Sequence, residues 1–252
     1  MLTINALKFI KMKDLYSEYQ PIVDSNHNPI FAYESLMRSS PKINPLRMIE
    51  YARHHKALYK LDTICIENAV AEYPYSFFRN HFLFINIFPS TIVHNDFKKF
   101  IHNLIGKYPY SRGRIVFEVN EDTTEEHIWT TEDFFKGILD LKSYGFQIAF
   151  DDMPVVSNSF EKMSRFEPDF VKLDQTKSKD LSKSLEKQQL ITLFLEFTNE
   201  KTKLVLEGIE TKEDFLKAKQ LGVPLLQGYY ISKPKRLEAL SNAGMVYGRG
   251  QR

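Results

Sequence analysis

Eight short apolar runs recur along this 252-residue chain, and most of the gaps between them are long enough to hold a helix. They are EYQPIVD (18–24), IFAYESLM (30–37), HFLFINIF (81–88), RIVFEVN (114–120), FQIAFDD (146–152), DFVKLD (169–174), KLVLEGI (203–209) and LLQGYYI (225–231). Their length and their Ile, Val, Phe and Tyr content predict buried strands. Residues 45–73, 90–107, 131–144, 178–200 and 211–221 carry helical periodicity, the first span being long enough for two helices. Thr130 and Thr211 precede Asp133 and Asp214 by three, the spacing of a capping box, and Gly222 with Pro224 should stop the last helix. Only SNHN separates the first two runs, too few residues for a crossover, so those strands should form an antiparallel hairpin. The pattern predicts an α/β fold, a TIM-like (β/α)8 barrel with an antiparallel first strand; an open doubly wound sheet is the alternative.

No linker or shift in composition divides the chain, so one domain is expected over residues 1–252, with the barrel at about 15–240. An N-terminal helix should precede it, and the glycine-rich tail NAGMVYGRGQR should be frayed. Hydrophobic residues at 43% supply a large core. The net charge of +2 gives no broad footprint for a nucleic-acid polymer or a membrane surface. Lys8, Lys11 and Lys13 break the apolar content of the start, no later segment has the length of a membrane span, and a cytoplasmic protein is expected. Cys65 is the single cysteine, which excludes an intramolecular disulfide; it is expected to be a buried helix residue.

Each apolar run has a polar residue in or near its C-terminal half: Glu34, Asn86, Glu118, Asp151 with Asp152, Lys172, Glu207 and Gln227. A lone strand-end acid is more often a cap or an ion-pair partner than a ligand. Seven such positions in register point instead to one cavity at the C-terminal face of a barrel. Converging carboxylates repel each other unless a cation compensates them. Oxygen donors from Glu34, Asn86, Glu118 and Asp151 suit Mg2+ or Mn2+, and the absence of a Cys or His cluster argues against zinc. Asp152 could serve a second ion, and Lys172 could stabilise a hydroxide or phosphate charge.

These residues resemble the EAL-domain cyclic-di-GMP phosphodiesterases, from about Tyr19 to Pro234. YQPIVD (19–24) is similar to the opening motif, and YESLMR (33–38) to the signature, with Ser35 in place of the usual alanine. FINIFPS (84–90), FEVNE (117–121), FDD (150–152), VKLD (171–174), LEGIET (206–211) and QGYYISKP (227–234) complete the series in the family's order. The resemblance implies a barrel with an antiparallel first strand and metal-assisted hydrolysis of cyclic-di-GMP to the linear dinucleotide pGpG. Glu34, Asn86, Glu118 and Asp151 match metal ligands, and Asp152 matches the aspartate of a second metal. Lys172 and Glu207 match residues that position or activate water, with Gln227 beside them. Gln20, Leu36 and Arg38 match positions that hold the dinucleotide. A homodimer is a further expectation.

After the paired aspartates such domains typically read close to FGTGYSS; here the sequence is MPVVSNS (153–159). Pro154 fixes its own φ and restricts Met153, while Val155 and Val156 disfavour the positive φ open to glycine. Glu121, which matches a loop-supporting glutamate, is present without its usual partner. Three readings follow: a phosphodiesterase, a cyclic-di-GMP receptor without turnover, and a module that binds a protein partner. His54 and His55 are expected at the surface, the acidic run EDTTEEHIW (121–129) as a solvated loop and helix entry, and Trp129 with AEYPYSFF (71–78) mainly as packing residues.

Overall fold

The computed structural model describes residues 14–27, 29–121, 123–151, 157–198 and 201–237. The expected N-terminal helix and C-terminal tail lie outside these residues, as do Asp152 to Val156. Eight strands close in chain order: β1 (Leu15–Asp24), β2 (Ile30–Ser39), β3 (Phe82–Ile87), β4 (Ile115–Asn120), β5 (Gln147–Asp151), β6 (Phe170–Leu173), β7 (Lys203–Leu206) and β8 (Leu225–Leu226). β1 is antiparallel to β2 and β8, while β2 through β8 run parallel. Val23 opposite Leu226 and Asp24 opposite Leu225 close the ring, so the fold is the (β/α)8 barrel and not the open sheet.

The alternation of side chains explains both the interior and the site above it. Ala32, Phe84, Val116, Ala149, Phe170, Val205 and Leu225 form one buried cluster together with Ile22. Two places on from each of the first seven stand Glu34, Asn86, Glu118, Asp151, Lys172, Glu207 and Gln227. A strand repeats its face every second residue, so an apolar layer is followed by a polar layer nearer the strand ends. On β1 the order reverses, Gln20 preceding Ile22, as its opposite direction requires.

Around the barrel lie α1 (Pro45–His54), α2 (Leu58–Glu72), α3 (Pro89–Ile92), α4 (Phe97–Lys107), α5 (Glu132–Ser143), α6 (Ser157–Phe166), α7 (Gln175–Ser178), α8 (Leu185–Phe197) and α9 (Lys212–Gln220). The main core fills the space between strands and helices, with Ile66, Leu83, Phe117, Phe134, Phe150 and Phe194 among its members. Each such side chain contributes roughly 1.5–3 kcal/mol by leaving water. Thr211 caps α9 as expected: its Oγ1 accepts from Asp214 N at 3.1 Å and donates to Asp214 Oδ2 at 2.8 Å. Gly222, at φ 86°, follows the end of that helix.

Several expectations need correction. The cap of α5 is Thr131, whose Oγ1 accepts from Phe134 N, because Thr130 instead donates to His127 O. The run 225–231 yields only the two-residue strand β8, since the chain turns at Gly228 to pass against Ile209. α6 begins at Ser157, inside the stretch MPVVSNS that follows the paired aspartates. Cys65 is only partly buried. His54 and His55, by contrast, are exposed as expected.

Candidate active site

The polar strand-end residues that the structure describes converge on one cluster. Glu34 (β2), Glu118 (β4) and Asp151 (β5) are less than 9% exposed, and Lys172 (β6) is fully buried among them. The Lys172 ammonium contacts Glu118 and Glu207 and lies 3.5 Å from Asp151 Oδ1 and 3.7 Å from Glu34 Oε2. Asn86 Nδ2 donates to Glu118 Oε2 at 3.2 Å and to Glu34 Oε1 at 3.4 Å. On the other side, Gln227 Nε2 donates to Glu34 Oε2 at 2.6 Å and to Gln20 Oε1 at 3.2 Å. Gln20 Nε2 in turn donates to Ser232 O at 3.1 Å.

Backbone bonds fix the two positions that lie just past their strands. Glu207 N donates to Leu173 O at 2.9 Å, and Gln227 N donates to Leu206 O at 3.0 Å. Gly208 and Gly228 permit the crowding this needs: a Cβ on Gly208 would run into Gln175, and one on Gly228 into the Ile209 backbone.

Four carboxylates therefore surround one ammonium. Burial pushes the Glu118 carboxyl well above the ordinary range, and Glu34 adds repulsion. Burial likewise pushes Glu207 up to about 8, although Lys172 opposes it. Burial alone would lower Lys172, but Asp151, Glu118, Glu207 and Glu34 together hold it well above its usual value as the cation of the cluster. One oxygen each of Glu34, Glu118 and Glu207 lies within 4.8 Å of the others, a spacing at which they could hold a metal ion. The geometry thus groups Glu207, which the resemblance matches to a residue that positions or activates water, with Glu34 and Glu118. An oxygen-only donor set with surplus negative charge fits a hard divalent cation, and Gln227 Oε1 is buried there without a hydrogen bond.

Two pockets flank the cluster and share Glu34 and Leu36 in their walls. One, of about 280 Å3, is largely apolar and is lined by Leu46, Ile49, Leu61, Cys65 and Phe88. The other, of about 260 Å3, is lined by Gln20, Glu207, Gln227 and Tyr229. Arg38 lies at the edge of the first, its Nε donating to Glu18 Oε2 at 2.8 Å and its Nη1 to Met37 O at 2.9 Å.

Asp152 lies outside the described residues. Glu121 has a partner that the sequence reading missed: Lys162 of α6, at 3.2 Å and with its Nζ 4.6 Å from the centre of the Trp129 ring. Burial raises the Glu121 carboxyl, and Lys162 opposes that. Trp129 is packed, at 2% exposure. The acidic run is not simply solvated either, since Glu125 is 4% exposed and accepts from Arg53 and Ser90. Neither Lys162 nor Glu125 carries a local signal, because their partners are distant in the sequence. Among the described residues no helix is long and apolar enough to cross a membrane.

Comparison with known proteins agrees with this architecture. A family model described as the EAL domain matches residues 5–234. The chain is 25% identical over 251 residues to the probable cyclic di-GMP phosphodiesterase PdeI of Escherichia coli, covering 96% of this chain and 32% of that protein. It is 27% identical over 237 residues to the probable cyclic di-GMP phosphodiesterase PdeN of the same organism, covering 91% and 45%. It therefore spans less than half the length of either relative. The solved structure of an EAL domain protein from Listeria monocytogenes superposes with a TM-score of 0.78 at 22% identity, covering 94% of this chain and 95% of that one.

Proposed function

The chain belongs to the EAL domain family, and on that basis we propose that it is a metal-dependent phosphodiesterase that opens cyclic-di-GMP to linear pGpG. The observation that carries this reading is the set of Glu34, Glu118 and Glu207 oxygens, clustered at the strand ends beside Lys172. Glu34, Asn86, Glu118 and Asp151 would hold Mg2+ or Mn2+, and Asp152 would serve a second ion. Such a cation, when bound, neutralises charge on the diester and lowers the pKa of water.

The chain's own residues supply the rest. Gln227 and Asn86 hold the Glu34 carboxylate from its two sides, which fixes its orientation. The Lys172 ammonium is placed to meet negative charge that develops on phosphate oxygens. Glu207, partly open to the cavity, is placed to orient water or take its proton. Water oxygen joins phosphorus, one ring P–O bond opens, and the departing 3′ oxygen ends with a proton. The two pockets, which share Glu34 and Leu36, leave room for a ligand that reaches into both, and Gln20, Leu36 and Arg38 would grip it near the phosphates. The site of action in this reading is the cytoplasm.

The test is chromatographic detection of pGpG from cyclic-di-GMP with Mg2+ or Mn2+. Wild-type protein should form it, and Glu34→Ala should lower the rate by at least about 100-fold, as loss of a principal electrostatic group does. No product at any metal concentration would sink the reading. Calorimetric binding without product would select a receptor, and neither binding nor product would leave a protein-interaction module.

A further inference from the structure

The acidic run after β4 has a member that serves neither solvent nor the cluster directly. Glu125 lies in the 3-10 segment Thr123–Thr130 and is 4% exposed. Its Oε2 accepts from Ser90 N at 2.9 Å, and its Oε1 accepts from Ser90 Oγ at 2.9 Å and from Arg53 Nη1 at 2.6 Å. The same turn is gripped from α2, where the buried Asp62 Oδ2 accepts from Phe88 N at 3.0 Å. The Arg53 guanidinium lies 5.0 Å over the Phe88 ring. Pro89, between Phe88 and Ser90, has no N–H to offer.

This turn is the direct continuation of β3. Asn86 pairs with Glu118 in the β3–β4 register, and its amide joins Glu118 to Glu34. Two residues later the backbone passes into the grip of Asp62 and Glu125. Glu125 itself follows Glu118 by seven residues on the neighbouring strand's outgoing segment. A buried carboxylate with three donors, one of them a guanidinium, is a rigid tie, because breaking it would leave a charge unpaired in a dry place.

We propose that Glu125 is a positioning residue of the candidate metal centre: it ties the segment after β4 to the turn after β3 and so fixes the Asn86 amide between Glu34 and Glu118. This rests on reading the cluster as a metal centre. Supports of this kind typically change metal affinity by about 10- to 100-fold when removed.

The experiment is Mn2+ titration of the full chain, with free Mn2+ read by electron paramagnetic resonance, for wild type, Glu125→Gln, Asn86→Ala and the double variant. Glu125→Gln should bind Mn2+ about 10-fold or more weakly. In the Asn86→Ala background it should add little, because its effect passes through Asn86. Unchanged affinity in the folded single variant, or a fully additive loss in the double variant, would overturn the proposal; a purely structural role would not show the dependence on Asn86. Should Glu125→Gln fail to fold, Ser90→Ala removes only the hydroxyl donor: a several-fold loss seen only while Asn86 is intact supports the proposal, and no loss overturns it. Wild-type protein that binds no Mn2+ would overturn the metal reading and this proposal together. A wild type that binds and hydrolyses normally beside an unaffected variant would overturn this proposal alone.

Discussion

Lys172 is the residue on which the cluster depends when no cation is bound, because it is the ammonium that four carboxylates share. Removing one member of a buried ionic group costs about 3–5 kcal/mol. Lys172→Met should therefore lower the melting temperature in EDTA, and added Mn2+ should raise it by more than in wild type; equal shifts would show that Lys172 does not balance these charges. Asp62 allows a separate test by pH. Burial raises its carboxyl from 3.8 to about 7. Below pH about 4 the group is protonated in folded and unfolded chains alike, and its full contribution to stability is present. As pH climbs from there to about 7, the unfolded chain releases the proton first, so the folded state loses up to about 4 kcal/mol. Asp62→Asn keeps an acceptor for Phe88 N and cannot ionise. Urea denaturation should find it more stable than wild type at pH 8 and little different at pH 4; a constant difference across that range would refute the assignment.

At the scale of elements, the crossing of the segments after β7 and β8 decides where Gln227 ends up. Ile209 N donates to Gln227 O at 3.0 Å and Tyr230 N donates to Ile209 O at 2.9 Å, with only glycine fitting between them at Gly228. Gly228→Ala should cost about 3 kcal/mol and lower the rate of pGpG formation by displacing Gln227. Gly222→Ala, whose Cβ would enter open space, should cost only the strain of its positive φ, about 1 kcal/mol, and leave the rate intact. Urea denaturation and the hydrolysis assay distinguish the two. The strand layers were legible in the sequence because each run carries its own apolar and polar pair two residues apart, Phe84 with Asn86 and Val116 with Glu118 for example. The short β8 was not, since LLQGYYI has strand composition and its turn is imposed by Ile209. The burial of Glu125 was equally hidden, because Arg53 and Ser90 come from 72 and 35 residues earlier.

For the whole molecule, closure through β1 and β8 joins the two ends of the barrel sequence at one seam, where Tyr19 and Lys235 also exchange backbone bonds. Because β1 runs against the other seven strands, the chain enters the barrel at the face where those strands end, the face that carries the cluster. The hairpin between Asp24 and Ile30 turns at the opposite face. This matters to anyone who anchors the protein to a surface or grafts a reporter onto it. A bulky attachment ahead of Leu15 starts at the doorway of the cavity and should raise KM for cyclic-di-GMP, whereas one inserted in the hairpin stands at the back wall and should leave KM where it was.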